Sequence, residues 1–196
     1  MGVIGHTSYE GLIAQQHEDV FQIFKEFLED IKPARILEIG TAGGGLTLFL
    51  RHILPKVPIL TFEVLNKDYY QKLKENNIEV RIENIFNHAY NALDKPEAIE
   101  SFIQQEGTTL VLCDGGHKIG EFNAIAPLIK EGDFIMAHDY IRDNIDFQEK
   151  FKDKIWDWCE IEEKHIEEIS NQLDLVHYNQ NNFSKVVWVC KRRRTL

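Results

Sequence analysis

Two short segments carry the side chains best suited to proton and metal chemistry: Cys113-Asp114-Gly115-Gly116-His117-Lys118 and Met136-Ala137-His138-Asp139-Tyr140. A third, Glu38-Ile39-Gly40-Thr41-Ala42-Gly43-Gly44-Gly45, packs four glycines behind an acid, and Glu63 ends a further apolar run. Two carboxylates and two imidazoles could take a proton from an acceptor, and histidine titrates near neutrality. The same cluster of acids and histidines could equally surround a metal ion. Glycines at a strand end permit a tight turn and close backbone approach to a ligand. The helix start that follows offers free N–H donors to a carboxylate or phosphate.

These segments are useful only if strands bring them together. Apolar runs predict strands over 35–40, 57–63, 78–82, 109–114 and 133–138, so the glycine segment, Glu63, Asp114 and His138–Asp139 each lie at the end of a strand. Helical spacing predicts helices over 13–31, 46–53, 67–76, 95–106 and about 119–130, with another marked by Phe147, Phe151 and Ile155. Residues 173–178 and 185–190, joined by an Asn-rich turn, read as an antiparallel hairpin. Five strand–helix alternations and a hairpin describe an α/β, three-layer architecture with a mainly parallel sheet. Residues 1–196 read as one domain, with an N-terminal helical segment over 1–32 and the core over 33–196. Parallel strands share a direction, so the chemistry-bearing ends open on one edge, where such sheets bind ligands.

The ligand can be narrowed by charge. A dinucleotide fingerprint needs glycine where Ala42 stands, and Glu38 would set a negative charge beside a pyrophosphate. An NAD-type oxidoreductase is therefore disfavoured, whereas a ligand with cationic groups would welcome an acid nearby. Glu63, at the end of the second strand, is placed to accept both hydroxyls of a ribose. The whole chain carries a net charge of −10, from 32 acids against 22 bases, which repels phosphate backbones and argues against nucleic-acid partners. Its one basic cluster, Lys191 to Arg194, reads as a solvated tail. Three unclustered cysteines form no disulfide or zinc framework, so a reducing, cytoplasmic setting is expected. No apolar run nears the roughly 18 residues of a membrane span, and the first residues lack a signal-peptide pattern.

The run Ile36-Leu37-Glu38-Ile39-Gly40-Thr41-Ala42-Gly43-Gly44-Gly45-Leu46-Thr47, followed by Phe62-Glu63, resembles the class I S-adenosylmethionine-dependent methyltransferases over nearly the whole chain. The resemblance implies a Rossmann-like, seven-stranded sheet of order 3-2-1-4-5-7-6. It further implies that Gly40, Gly43, Gly44 and Gly45 lie along the methionine moiety, that Glu38, Thr41 and Asp114 also contact the cofactor, that Glu63 holds the ribose, and that Asn84 and Ile85 flank the adenine. The segments around Asp114 and Asp139 are similar to the cephalosporin hydroxylase-like and macrolide-sugar O-methyltransferase group. Members often hold magnesium with acids from these two strand ends. Asp114 matches the first ligand and Asp139 the last, while His138 stands where another acid is common. His117 falls at the offset of the general base of catechol-type enzymes; its alternative is a capping histidine at the turn.

The expectation is thus a methyltransferase acting on a hydroxyl of a small molecule, such as a sugar or secondary metabolite. Asp114, His117 and Asp139 would prepare the acceptor, with or without magnesium. The alternative is a protein that binds the same cofactor and catalyses nothing. A homo-oligomer is compatible with such a chain. Gln15, Gln16 and His17 read as solvent-facing residues of the first helix, the alternative being that they close over the active site. Of Trp156 and Trp158, one indole leaves the core stripe and reads as a core cap, the alternative being a wall of the substrate pocket. Cys113 reads as a small buried residue.

Overall fold

A computed structural model describes residues 7–195. The first six residues of the N-terminal segment, on which the signal-peptide reading partly rests, lie outside that range. Seven strands form the central sheet: β1 (Arg35–Ile39), β2 (Ile59–Glu63), β3 (Val80–Ile82), β4 (Thr109–Cys113), β5 (Phe134–Ala137), β6 (Leu175–His177) and β7 (Val189–Arg193). Their order is β3-β2-β1-β4-β5-β7-β6, with β7 antiparallel to both of its neighbours and the other pairs parallel. The expected α/β, mostly parallel sheet and its strand order are therefore observed.

Every residue of β1 and β4 is buried, as a central parallel strand covered on both faces requires. Alternation divides their side chains between two cores. Leu37, Val111 and Cys113 join one core with α4 (Pro96–Ile103), α5 (Lys118–Ile125) and α6 (Glu163–Gln172). Ile36, Leu110 and Leu112 join the other, with α1 (Val20–Ile31) and α2 (Gly45–Ile53). The remaining helix, α3 (Tyr70–Glu75), covers Leu48 and Ile78 through Leu73.

Four segments depart from the sequence expectation. The helix expected over 13–31 starts only at Val20. Before it, Ser8–Tyr9 and Leu12–Ile13 pair as a small antiparallel ladder, turned by Glu10 and Gly11, both at positive φ. Phe147, Phe151 and Ile155 do not share a helix: a five-residue π turn, Phe147–Phe151, ends before Ile155. Helix α6 escaped notice because Ile166 is the one fully buried apolar residue on it, too narrow a stripe to register as periodic. The last strand starts later than expected, because Gln180–Phe183 and Ser184–Val186 are helical turns.

That shift changes the basic cluster from a tail into a strand. Lys191 is buried 2.5 Å from Glu163, Arg192 lies over the Phe134 ring, and Arg193 donates to the Ile129 carbonyl. Among the described residues no helix is long and apolar enough to cross a membrane.

Candidate active site

Register positions the site. Ile39 pairs with Cys113, and Cys113 with Ala137, so the next residues Gly40, Asp114 and His138 emerge side by side from β1, β4 and β5. Backbone bonds continue past the strand ends, from Asp114 N–H to the Ile39 carbonyl and from His138 N–H to the Cys113 carbonyl. Gly40 sits at φ +90, and a Cβ there would meet the Asp114 carbonyl oxygen at 2.3 Å, so only glycine allows these two strand ends to approach so closely. Asp139 also has positive φ, 55°, which costs a non-glycine residue on the order of 1 kcal/mol.

A cavity of about 430 Å³ opens at this edge. Of the residues singled out from sequence, Gly40, Glu63, Asn84, Ile85, Asp114, His138 and Asp139 line it, whereas Glu38, Thr41, Gly43, Gly44, Gly45 and His117 do not. Glu63 sits between the first two strand-end loops, where its two oxygens accept N–H bonds from Ala42 and Val64 at 2.9 and 2.8 Å.

The glycines have a different neighbour from the one expected. A Cβ on Gly43 would strike the Ile13 carbonyl oxygen at 2.2 Å, and one on Gly45 the Leu12 oxygen at 2.7 Å. They make room for the N-terminal ladder to lie against the start of α2. Glu38 faces inward too, accepting hydroxyls from Thr61 at 2.5 Å and Thr47 at 2.8 Å. Burial pushes its carboxyl up to about 7, against the downward pull of the two threonines and with help from Asp114 and Glu63. The acids that meet the cavity are instead Glu63, Glu83, Asp114, Glu121 and Asp139.

His117 caps α5: its Nδ1 accepts the Gly120 N–H at 3.1 Å, and its ring stacks on Tyr90. Glu121 braces the same turn by accepting the N–H groups of Gly115 and His117. Burial raises the Glu121 carboxyl to about 7 despite those two bonds.

Asp114, His138 and Asp139 each bring one ligand atom within 4.8 Å of the others, an arrangement that could hold a metal ion. Their oxygens are already engaged. Asp114 takes Gln16 Nε2 at 2.7 Å and His138 Nδ1 at 3.0 Å. Asp139 takes the Trp156 indole at 2.6 Å on one oxygen and the Lys118 ammonium at 3.0 Å on the other. The ammonium also lies 3.9 Å from Asp114. Burial alone would depress the His138 pKa, but the charges of Asp114 and Asp139 and the bond to Asp114 hold it above its ordinary value. Among the described residues His138 Nε2 has no hydrogen-bond partner, and it is enclosed with the rings of Trp156 and Trp188 nearby.

Magnesium is poorly served by this donor set. One donor is a buried imidazole whose Nδ1 is committed to Asp114. A dication about 4 Å from an ammonium would meet repulsion on the order of 8 kcal/mol at an effective dielectric of 20.

Several of these partners gave only a weak signal in the sequence. Gln16, read as solvent-facing with closure over the site as its alternative, is buried and also receives the Trp188 indole at 2.8 Å. Of the two indoles, read as a core cap or a pocket wall, Trp156 donates to Asp139 and the exposed Trp158 lines the cavity beside it. Lys118 was also within reach, since the turn Asp114-Gly115-Gly116-His117-Lys118 folds it back over the acid that begins it.

The family model described as Rhamnosyl O-methyltransferase/CmcI matches residues 2–190. Among solved structures, the apo form of CmcI-N160 aligns with a TM-score of 0.61 at 13% identity, over 97% of this chain and 77% of that one. CmcI-D160 with Mg and SAM gives 0.58 at 13% identity, over 95% and 76%. An O-methyltransferase family protein from Burkholderia thailandensis gives 0.57 at 8% identity, over 90% and 57%. At these identities the structural likeness shows the fold alone. No curated protein sequence matches. With the family match spanning nearly all of it, the chain belongs to the rhamnosyl O-methyltransferase/CmcI family and is an S-adenosylmethionine-dependent O-methyltransferase.

Proposed function

We propose that the enzyme methylates a hydroxyl group of a small-molecule acceptor, with cofactor and acceptor sharing the cavity at the strand ends. One observation carries this reading: Glu63 and the Asp114–His138–Asp139 cluster line the same cavity. A volume of about 430 Å³ suits two small ligands in contact better than a macromolecular surface.

S-adenosylmethionine supplies a methyl group carried on a positively charged sulfur. Glu63 accepts the ribose hydroxyls, since each of its oxygens has one N–H donor and a lone pair to spare. Asn84 and Ile85 form the wall against the adenine. Five acids, Glu63, Glu83, Asp114, Glu121 and Asp139, line the cavity against the two ammonium groups of Lys67 and Lys118, an acidic excess that favours a cationic ligand over a diphosphate. Asp114 or Asp139 receives the hydrogen bond of the acceptor hydroxyl through the second lone pair left on an oxygen that already has one donor. It fixes the hydroxyl oxygen in line with the methyl group and accepts its proton as the oxygen–methyl bond forms and the sulfur–methyl bond breaks. His117, committed to the cap of α5 and to Tyr90, shapes the turn that presents Asp114.

The test is transfer of radiolabelled methyl to a panel of hydroxylated sugars and phenols. Asp139→Asn is expected to lower turnover about 100-fold while S-adenosylhomocysteine binds within a few-fold of wild type. Turnover equal to wild type would remove Asp139 from the mechanism. Tight cofactor binding with no methylated product from any acceptor would favour a cofactor-binding protein without catalysis.

A further inference from the structure

We infer that Lys118 is a built-in cation, occupying at the strand-end cluster the place a divalent metal would take, so that this enzyme organises its acceptor site without one. The inference rests on the methyl-transfer reading of the cavity.

The shell around the Lys118 ammonium consists of oxygens. Its Nζ lies 2.8 Å from the Gly115 carbonyl, 3.0 Å from Asp139, 3.3 Å from Glu160 and 3.9 Å from Asp114. Three carboxylates and a carbonyl are the donors that a hard cation gathers. The side chain is buried, and a buried ammonium persists only where opposite charges and hydrogen bonds replace its water.

The residue is held at both ends by one partner. Glu160 accepts the Lys118 backbone N–H at 2.7 Å and its ammonium through the other oxygen. Lys118 thereby ties three stretches together: the turn after β4, the turn after β5 that carries Asp139, and the Trp156–Glu160 stretch that brings both indoles to the cavity. A metal bridging Asp114 and Asp139 would do the same work.

The neighbours agree with this assignment. His138 stands between the two aspartates, directing its Nδ1 to Asp114 rather than adding a third carboxylate. Gln16 and the Trp156 indole take the oxygens that His138 and Lys118 leave. No oxygen of Asp114 or Asp139 lacks a donor. Lys118 also lines the cavity, and in this scheme it acts through Asp139 and Asp114 as a positioning residue.

The experiment uses the whole protein, stripped with EDTA, desalted and saturated with S-adenosylhomocysteine. Binding of Mn²⁺ is read by electron paramagnetic resonance, and the melting temperature is read with and without Mg²⁺. Wild type is expected to leave the free Mn²⁺ signal unchanged and to melt at the same temperature in Mg²⁺ and in EDTA. Lys118→Gln and Lys118→Ala open the cluster, and each is expected to bind Mn²⁺ at least about tenfold more tightly than wild type. Adding Asp114→Asn to either is expected to abolish that gain.

Wild-type Mn²⁺ binding that Asp114→Asn removes would overturn the inference, as would a Mg²⁺-dependent rise in wild-type melting temperature. So would Lys118 variants that still bind S-adenosylhomocysteine yet gain no affinity for Mn²⁺. The wild-type measurements decide the matter even if neither variant folds. Failure of wild type to bind S-adenosylhomocysteine would instead strike at the methyl-transfer reading itself.

Discussion

At the scale of single residues, Glu38 shows how a carboxylate beside a glycine loop can serve the fold rather than the ligand. It is enclosed with Thr47 and Thr61, and burial raises its pKa from 4.5 to about 7. Below 4.5 the group is protonated in folded and unfolded chains alike, and its contribution to stability is fully present. Between there and about 7 the unfolded chain ionises first, so that contribution is lost as pH rises through the folded value. Glu38→Gln keeps an acceptor for the threonines and removes the slope. Difference melting curves should show the variant gaining on wild type from pH 5 to pH 8, by on the order of 2 kcal/mol. A difference that is constant across this range would contradict the placement of Glu38.

Residues at or just past the end of a strand were the ones the sequence made readable, because a strand end fixes where the neighbouring side chains can go. Asp114, His138, Asp139 and Glu63 belong to this class, and all four line the cavity. Gln16, Trp156 and Glu160 reach the cluster through irregular segments, and no local spacing encodes such a meeting. His117 had two readings from its position in the turn; its bond to Gly120 and its stacking on Tyr90 select the capping one.

Among the elements, the ladder Ser8–Tyr9/Leu12–Ile13 gives the glycines a packing role within the fold. Gly43 and Gly45 let the chain at Leu12 and Ile13 lie against the start of α2, and Ala14 and Gln15 continue from there into the cavity wall. A methyl group on Gly43 would sit 2.2 Å from a backbone oxygen, so the ladder must move. Gly43→Ala is expected to destabilise the fold by about 1–3 kcal/mol, measured by urea unfolding, and to increase proteolysis within residues 7–19. Wild-type stability and unchanged cleavage would contradict this packing role.

Elements were legible where one face is strongly apolar, as in the sheet strands, α1 and α2. They were obscure where tertiary contacts replace that pattern. Helix α6 relies on Ile166 and a capping box between Glu162 and His165. Strand β7 is rich in basic residues, yet Lys191 is buried beside Glu163 and His177. A charge run that pairs inside the fold looks, in sequence, the same as a solvated one.

For the whole molecule, the register between β1, β4 and β5 converts distant sequence segments into one chemical surface. Alternation of strands and helices sufficed to read the sheet and its ligand edge. The cation balance at that edge depends on Lys118, Glu160 and Trp156 and emerges only once the chain is folded.

On the proposed reading, the acid-lined cavity receives a sulfonium nucleoside through Glu63. Calorimetric titration with S-adenosylmethionine, comparing wild type with Glu63→Gln and using NADH as the competing ligand, decides whether it does. Wild type is expected to bind saturably, Glu63→Gln about 10- to 100-fold more weakly, and NADH to give no heat. Equal affinity in the two proteins, or NADH binding that S-adenosylmethionine displaces, would overturn that reading.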